Sequence, residues 1–316
     1  MDTIQTASKN ESDNRLKWSR KLFIEKPTVK QLYKEFVNNK KWKPETMSSK
    51  AMNENPGKCR YTDIVCLDST RVVLKERPPE ADFIHANWMK MPDGVQYIST
   101  QGPMEETIED FWHMIYTEKV SVVIMLCAFS EGKFSKSAYY YPMKSDYEKY
   151  GQYKVIKKGL KQSNIDNVKY RVLDVEKNGK SLTVHHFSYT SWPDHIAPTS
   201  PTFAVQLHRL ARQKANGGPI VVHCSAGIGR TATFIGIDYG MQRVRENSNL
   251  APFDLIKEMR RMRDKSVQSY FQYAFMIVCI LEIFAQDNAI PRNDKLKSYI
   301  EEYNNSMTKK KEKLDK

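Results

Sequence analysis

The chain has 316 residues, 40% of them hydrophobic, enough to build one large domain or two small ones. Lysine plus arginine exceed aspartate plus glutamate by 13, which suits a dianionic or acidic partner; no aromatic–basic stripe or groove-binding motif accompanies that excess, so no nucleic acid is expected. No window reaches the ~18 consecutive apolar residues of a membrane span, and the five cysteines, at 59, 66, 127, 224 and 279, show no CxxC pair or zinc spacing.

Residues 1–17 read as a polar, mobile tail, and Met1-Asp2-Thr3-Ile4-Gln5-Thr6 lacks the basic stretch and apolar core of a secretory signal. A folded body is expected over 18–290, opening with a helix at Val29–Asn39. Val120–Leu126 is an apolar, β-branched run that reads as a buried strand. Tyr170–Val175 and Ser181–Phe187 flank Lys177-Asn178-Gly179-Lys180, whose Asn-Gly pair predicts a hairpin. Helical spacing covers Thr202–Ala215, 229–245 and Phe253–Asp264, and Ile220–Val222 is a second buried strand. Residues 291–316 form a polar tail in which Lys309, Lys310, Lys311, Lys313 and Lys316 cluster. A solvated tail is the expectation there, and attraction to an acidic membrane surface the alternative. Strands and helices in mixture, with no repeat or linker between them, predict one α/β domain. Its architecture would be a twisted mixed β-sheet flanked by helices.

One stretch names a chemistry. The strand Ile220–Val222 runs into His223-Cys224-Ser225-Ala226-Gly227-Ile228-Gly229-Arg230, and a helix follows. The loop therefore joins a strand's carboxyl end to a helix N-terminus, where unpaired N–H groups and the dipole favour an anion. Gly227 and Gly229 permit a curl in which successive amides turn inward as a nest. Cys224 and Arg230, six positions apart, then face one small volume of phosphate size. A helix N-terminus and a nearby cation favour the thiolate, so Cys224 is the candidate nucleophile. Thr231 can donate its hydroxyl to the sulfur, and His223 can hold the loop in shape. A buried structural cysteine is the alternative; the arginine and two glycines at these offsets argue against it.

This stretch with Thr231 resembles the signature loop of the phosphotyrosine-specific protein tyrosine phosphatases, and the match is to the single-domain, non-receptor type. Trp192-Pro193-Asp194 resembles the family's mobile acid loop, and Lys58-Cys59-Arg60-Tyr61-Thr62-Asp63 the loop that sets pocket depth. Val267-Gln268-Ser269 with Gln272 resembles its glutamine loop, and Thr100-Gln101-Gly102-Pro103 and Phe111-Trp112-His113-Met114 match two further signatures. The matches run in family order from about Val29 to about Ala285.

The resemblance implies a phosphotyrosine phosphatase that forms a phosphocysteine on Cys224. Arg230 and the amides of Ser225, Ala226, Gly227, Ile228 and Gly229 would bind the phosphate. Asp194, its pKa expected to be raised beside that dianion, would act as general acid and then as base on a water placed by Gln268 and Gln272. Tyr61 would stack on the substrate ring at the rim, and Asp63 would accept the substrate's main-chain amides. Glu131 would fix the fork of Arg230, and Lys136 would meet Asp194, a surface charge pair being the alternative. No metal or cofactor is implied; His185, His186 and His208 lack any metal-like spacing. The expected partners are phosphotyrosine proteins, the expected state a monomer. The expected place is the cytosol, with the nucleus open to it, since an odd cysteine count with an obligatory thiolate fits a reducing compartment.

Some positions depart from the family pattern: Cys59, Ser137, Tyr141, His195, Ile196 and Ala232. His195 and Ile196 bear on closure of the acid loop, the others on packing. Three rival classes fit less well. A phosphotyrosine-binding protein without activity usually loses Cys224 or Asp194, and both are present. A papain-type hydrolase has no anion cradle. A dual-specificity phosphatase is disfavoured by Tyr61 and by chain length.

Overall fold

The computed structural model describes residues 11–313. Its strands are β1 (Arg71–Val73), β2 (Phe83–Lys90), β3 (Gln96–Thr100), β4 (Val122–Met125), β5 (Ser130–Glu131), β6 (Phe134–Ser135), β7 (Tyr147–Tyr150), β8 (Tyr153–Lys161), β9 (Val168–Lys177), β10 (Lys180–Tyr189) and β11 (Ile220–His223). One mixed sheet takes the order β1-β2-β3-β11-β4-β10-β9-β8-β7, while β5 and β6 pair separately. Its middle is parallel, through β3, β11, β4 and β10. Antiparallel strands extend both sides.

Every residue of β4 and β11 is buried. A parallel strand covered on both faces needs an unbroken apolar run, which is what Val122–Met125 and Ile220–Val222 supply. Register sets His223 beside Thr100 and Met125, so three strands end together. The segments leaving them are tied: Gly102 N–H donates to the Ser225 carbonyl (2.9 Å) and Leu126 N–H to that of His223 (2.8 Å). Ligands of open α/β sheets bind outside such carboxyl ends.

The β9–β10 hairpin turns through Asn178 (φ 49°) and Gly179 (φ 74°), the doubly positive turn that matches strand twist. Helices occupy Val29–Asn39, Thr202–Ala215, Arg230–Glu246, Pro252–Met262 and Tyr270–Gln286, flanking the sheet as the mixed α/β pattern predicts.

Both ends differ from the expected tails. Residues 1–10 and 314–316, Lys316 included, lie outside the described residues. A helix spans Asn14–Glu25, capped by Asp13, whose side chain accepts from Arg15 N–H. It buries Leu16, Trp18 and Leu22, and the Trp18 indole donates to the Leu250 carbonyl at 2.9 Å. With only those three anchors among polar residues, its sequence pattern is thin. At the other end, Asp294–Glu312 is helical and buries Leu296, Tyr299, Tyr303 and Met307. Tyr303 donates to the Pro198 carbonyl at 2.6 Å, and Glu302 accepts from Val29 N–H at the start of a helix. The stripe recurs every three or four residues but is diluted by charge, so the segment reads as a tail. Lys309, Lys311 and Lys313 are exposed on it.

A buried polar node sets the angle of the helix that starts at Arg230. Asp238 accepts from Tyr97 of β3 (2.9 Å) and from Gln242 (2.8 Å), and lies 3.3 Å from His208 and 3.5 Å from Arg212. Burial pushes its pKa up, but His208, Arg212 and Gln242 outweigh that and hold it down to about 2. Asp238→Asn should cost about 2 kcal/mol at pH 6, because it weakens the charge-assisted hydrogen bonds from Tyr97 and Gln242 and leaves Arg212 with Asp93 alone. The folded pKa lies below the ordinary ~3.9 of the unfolded chain. The aspartate's contribution is therefore complete above about pH 4 and lost as pH falls toward 2, and the stability gap should close over that window in urea titrations.

Candidate active site

Cys224 leaves the end of β11, is 3% exposed, and its sulfur accepts from Gly227 N–H at 3.3 Å. The loop's carbonyls are all engaged. Ser225 accepts from Gly102 N–H, Ile228 from Val267 N–H, and Gly229 from the Thr233 hydroxyl. Ala226 accepts from Arg263 (3.0 Å), and Gly227 from Arg263 (3.3 Å) and the Ser99 hydroxyl (2.8 Å). In a trans peptide the carbonyl and the next N–H point opposite ways. With these carbonyls engaged by groups outside the loop, its amides are left free to face the sulfur, and that of Gly227 does so. Gly227 makes the curl possible: φ is +71°, and a Cβ would stand 2.2 Å from the Thr100 carbonyl oxygen. At Gly229 a Cβ would meet Gln268 Oε1 at 2.2 Å.

Arg230 opens the helix at 1% exposure. Its Nη1 donates to Glu131 Oε1 (2.5 Å) and to the Trp192 carbonyl (2.8 Å), its Nη2 to Glu131 Oε2 (3.2 Å). Nε is buried and has no partner. Burial opposes the guanidinium charge, but Cys224, Glu131 and Asp194 outweigh it and raise the pKa. β5 and β6 exist to carry this contact, since Glu131 ends one of them and Lys136 follows the other.

Asp194 is bound to Lys136 Nζ (2.9 Å) and stands 3.5 Å from Arg230. Burial raises its pKa, yet Arg230 and Lys136 together lower it below the ordinary carboxyl value. Without the dianion beside which a raised value is expected, the shift runs the other way, because two cations lie within reach of the carboxylate. Trp192 is fully buried, edge-on to Phe275, and its indole closes the acid loop by donating to the Ile196 carbonyl (2.8 Å). Pro193 is exposed between them, and His195 takes φ +58°.

Tyr61 shares a hydrogen bond with Ser225 Oγ at 2.8 Å. Asp63 is exposed and held by Lys265. Gln272 accepts from Gln268 N–H (3.0 Å) while its Nε2 is buried and unpaired. His223 bridges the Cys224 carbonyl (3.1 Å) and the Tyr140 hydroxyl (2.8 Å), and burial lowers its pKa to about 4, so the ring is neutral. The Thr231 hydroxyl, expected to reach the sulfur, is buried without a partner. Among the departures, Cys59 joins Met52, Cys66 and Phe83 in a small apolar cluster, and Ser137, Tyr141, Ile196 and Ala232 are buried packing residues.

Sequence reasoning missed Arg263. Following two arginines on a helix, it reads as solvated, yet it is fully buried under the loop. Besides the Ala226 and Gly227 carbonyls it binds Asn87 Oδ1 (2.7 Å) and His85 Nδ1 (3.2 Å). Burial and Arg263 lower the His85 pKa to about 3, leaving its Nε2–H to donate to the Ile64 carbonyl. Arg263→Met would strand these acceptors at ~1–3 kcal/mol each. It should lower the unfolding midpoint and weaken orthovanadate binding by roughly tenfold or more in calorimetry, with Arg263→Lys intermediate in both.

The sequence model of the protein-tyrosine phosphatase family matches residues 55–282. Human receptor-type tyrosine-protein phosphatase H is 33% identical over 246 residues, covering 76% of this chain and 22% of that protein. Mouse tyrosine-protein phosphatase non-receptor type 9 is 35% identical over 266 residues, covering 77% of this chain and 44% of the relative. The chain thus spans less than half the length of these two relatives. The catalytic domain of human protein tyrosine phosphatase non-receptor type 18 superposes with a TM-score of 0.77 at 28% identity, over 86% of this chain and all of that one. A structure of PTPN18 with HER2 phospho-peptides gives 0.71 at 28% identity, over 82% of this chain and 91% of that one. A strand-loop-helix cradle around Cys224, matched along most of the chain, places this protein in the protein-tyrosine phosphatase family.

Proposed function

We propose that the protein hydrolyses phosphotyrosine on other proteins through a phosphocysteine at Cys224. The observation that carries this reading is the engagement of the loop carbonyls by groups outside the loop, with Gly227 N–H on the Cys224 sulfur and Arg230 Nε buried without a partner among the described residues. Phosphoryl transfer asks a protein chiefly for position and charge stabilisation. The thiolate attacks phosphorus, the S–P bond forms, and the aryl oxygen leaves with a proton from Asp194. Water then attacks the phosphocysteine, Asp194 takes its proton, and phosphate and thiolate are regenerated. Gln268 and Gln272, packed against Gly229, are placed to hold that water.

Asp194 must be protonated for the first step, yet its two cations keep it ionised in the free protein. An arriving phosphate dianion shares Arg230 and adds like charge beside the carboxylate; both effects raise its pKa. Binding and proton uptake are therefore coupled. Tyr61, fixed through Ser225, sets the depth that favours tyrosine over the shorter serine ester. The complexes of PTPN18 with HER2 phospho-peptides support a phosphotyrosine peptide as ligand. We place the protein in a reducing compartment, the cytosol with the nucleus open to it, as a monomer acting in signalling. Its five cysteines are all free, and no described helix is long and apolar enough to cross a membrane.

Cys224→Ser should abolish hydrolysis of p-nitrophenyl phosphate and keep phosphotyrosine-peptide binding. Asp194→Ala should slow release of the tyrosine by ~10²–10⁴. Lys136→Met removes a charge that lowers the Asp194 pKa, so the alkaline limb of the kcat/KM profile should move to higher pH. An unmoved limb would detach Asp194 from the proton transfer.

A further inference from the structure

Behind the catalytic loop runs a buried line of hydrogen bonds that the phosphoryl chemistry leaves unused. The Tyr140 hydroxyl lies 2.8 Å from His223 Nε2 and 2.6 Å from His186 Nε2. His186 belongs to β10 and His223 to β11, with β4 between them, so one tyrosine joins strands that do not pair with each other. All three side chains are fully buried. The Trp112 indole donates to the Tyr140 carbonyl (2.6 Å), and the Phe111 ring meets the tyrosine ring edge-on at 4.9 Å, which fixes the hydroxyl between its partners.

Counting protons gives this line a direction. Burial holds both imidazoles below their ordinary pKa, His223 at about 4, and pushes the Tyr140 hydroxyl up, so each group is neutral with one proton to donate. A carbonyl oxygen can only accept, so His223 Nδ1, 3.1 Å from the Cys224 carbonyl, carries the proton of that ring. Its Nε2 then accepts from Tyr140, and the tyrosine oxygen accepts from His186 Nε2–H. His186 Nδ1 is left bare, and it is buried with no hydrogen-bond partner among the described residues. The reversed line would place an N–H there, an unmade bond for a buried donor on a ring that already feels the positive Arg171. Reversal would also turn the bare Nδ1 of His223 on the Cys224 carbonyl oxygen. The Ser225 N–H points away from that carbonyl across a trans peptide, so the ring that holds the carbonyl also aims the first amide of the loop.

We propose that His186 is a positioning residue for Cys224: by donating to Tyr140 it fixes the tautomer of His223, and with it the orientation of the Cys224–Ser225 peptide where the anion cradle begins. The inference rests on the phosphatase reading for its effect on turnover, while the tautomers and the ionisation of the sulfur belong to the free protein. An amide lost from the cradle weakens what favours the thiolate. The other titratable and charged groups that act on the sulfur are Arg230, Arg263 and the Cys127 thiol. Those that act on the line are Arg171, Tyr141 and Arg60, again with Arg230 and Cys127. Every one of them is retained when only His186 is changed.

Nitrogen-15 NMR of protein labelled at its seven histidines reads the tautomers directly. His223 should carry its proton on Nδ1 and His186 on Nε2; a His186 protonated on Nδ1 overturns the proposal. Two variants then test the consequence. His186→Met fills the space without a donor, and His186→Gln returns a donor near the Nε2 position. In His186→Met the pH midpoint for alkylation of Cys224 by iodoacetate should rise by about half a unit to one unit. Its kcat/KM for p-nitrophenyl phosphate at pH 6 should fall about threefold to tenfold, and His186→Gln should stay close to the unsubstituted protein in both. A merely structural role would lower the melting temperature of both variants and leave the midpoint in place. An unmoved midpoint in His186→Met, or an equal rise in the two variants, overturns the proposal. Alkylation and NMR need no turnover, so failure of the unsubstituted protein to hydrolyse p-nitrophenyl phosphate counts against the phosphatase reading alone.

Discussion

Amides that converge on one sulfur must have their carbonyls held elsewhere, and most of this structure can be understood as holding them. A loop of small residues left to itself would relax until N–H and C=O groups were equally hydrated. Here β3 supplies Ser99 and the bonds of Gly102, the helix interior supplies Thr233, and buried Arg263 supplies two donors at once. Each removes a way for the loop to turn its carbonyls inward. The site is thus preorganised for an anion before one arrives, which is where electrostatic stabilisation of a transition state originates. A protein that had to reorient those dipoles during the reaction would lose that advantage.

The converging positive potential has to be balanced while the site is empty. Glu131 does this for Arg230, and Asp194 completes a chain of alternating charge from Arg230 to Lys136. The balance differs in kind between the two carboxylates. Glu131 grips the guanidinium with both oxygens and leaves Nε free for the ligand, so its contact can persist through turnover. Asp194 sits farther away on a loop anchored by buried Trp192, and its proton affinity follows whatever shares Arg230 with it. On the proposed mechanism, one arginine would both position the phosphate and report its presence to the acid.

The parts of this arrangement differed in how far sequence revealed them. β11, the catalytic loop and the following helix were legible because each carries a local signal: an unbroken β-branched run, two glycines, a cysteine and arginine at a fixed offset. The hairpin at Asn178-Gly179 was legible for the same reason. Arg263, His85 and Asp238 were not, since a single polar residue shows nothing of its partners until tertiary structure assembles them: Arg263 looks solvated after two other arginines, and His85 and Asp238 look like interruptions of apolar runs. The direction of the Asp194 shift was also beyond the sequence, as it depends on which cations lie within reach. The N-terminal helix was missed because its anchors around Trp18 are sparse among charges, and the C-terminal end, expected to be frayed or helical without a strong core face, is a helix whose face of Tyr299 and Tyr303 was hidden in the same way.

Those terminal helices matter to the chemistry through packing. Tyr303 is fully buried and donates to the carbonyl of Pro198, four residues beyond Asp194, while Trp192 on the other side of Asp194 rests on Phe275. Phe275 belongs to the helix that begins at Tyr270, just past Gln268, and its ring lies 6.0 Å from that of Tyr303. Both flanks of the Asp194 loop thus lean on one aromatic layer, and that layer reaches Gln268 and Gln272. A loop so supported cannot move its carboxyl without disturbing Trp192 or Pro198. The intervening residues, Pro193 and His195, are exposed, His195 in the left-handed conformation. Arg230 and Lys136, the cations that Asp194 meets, come from other parts of the chain, so the position of the carboxyl alone decides both contacts.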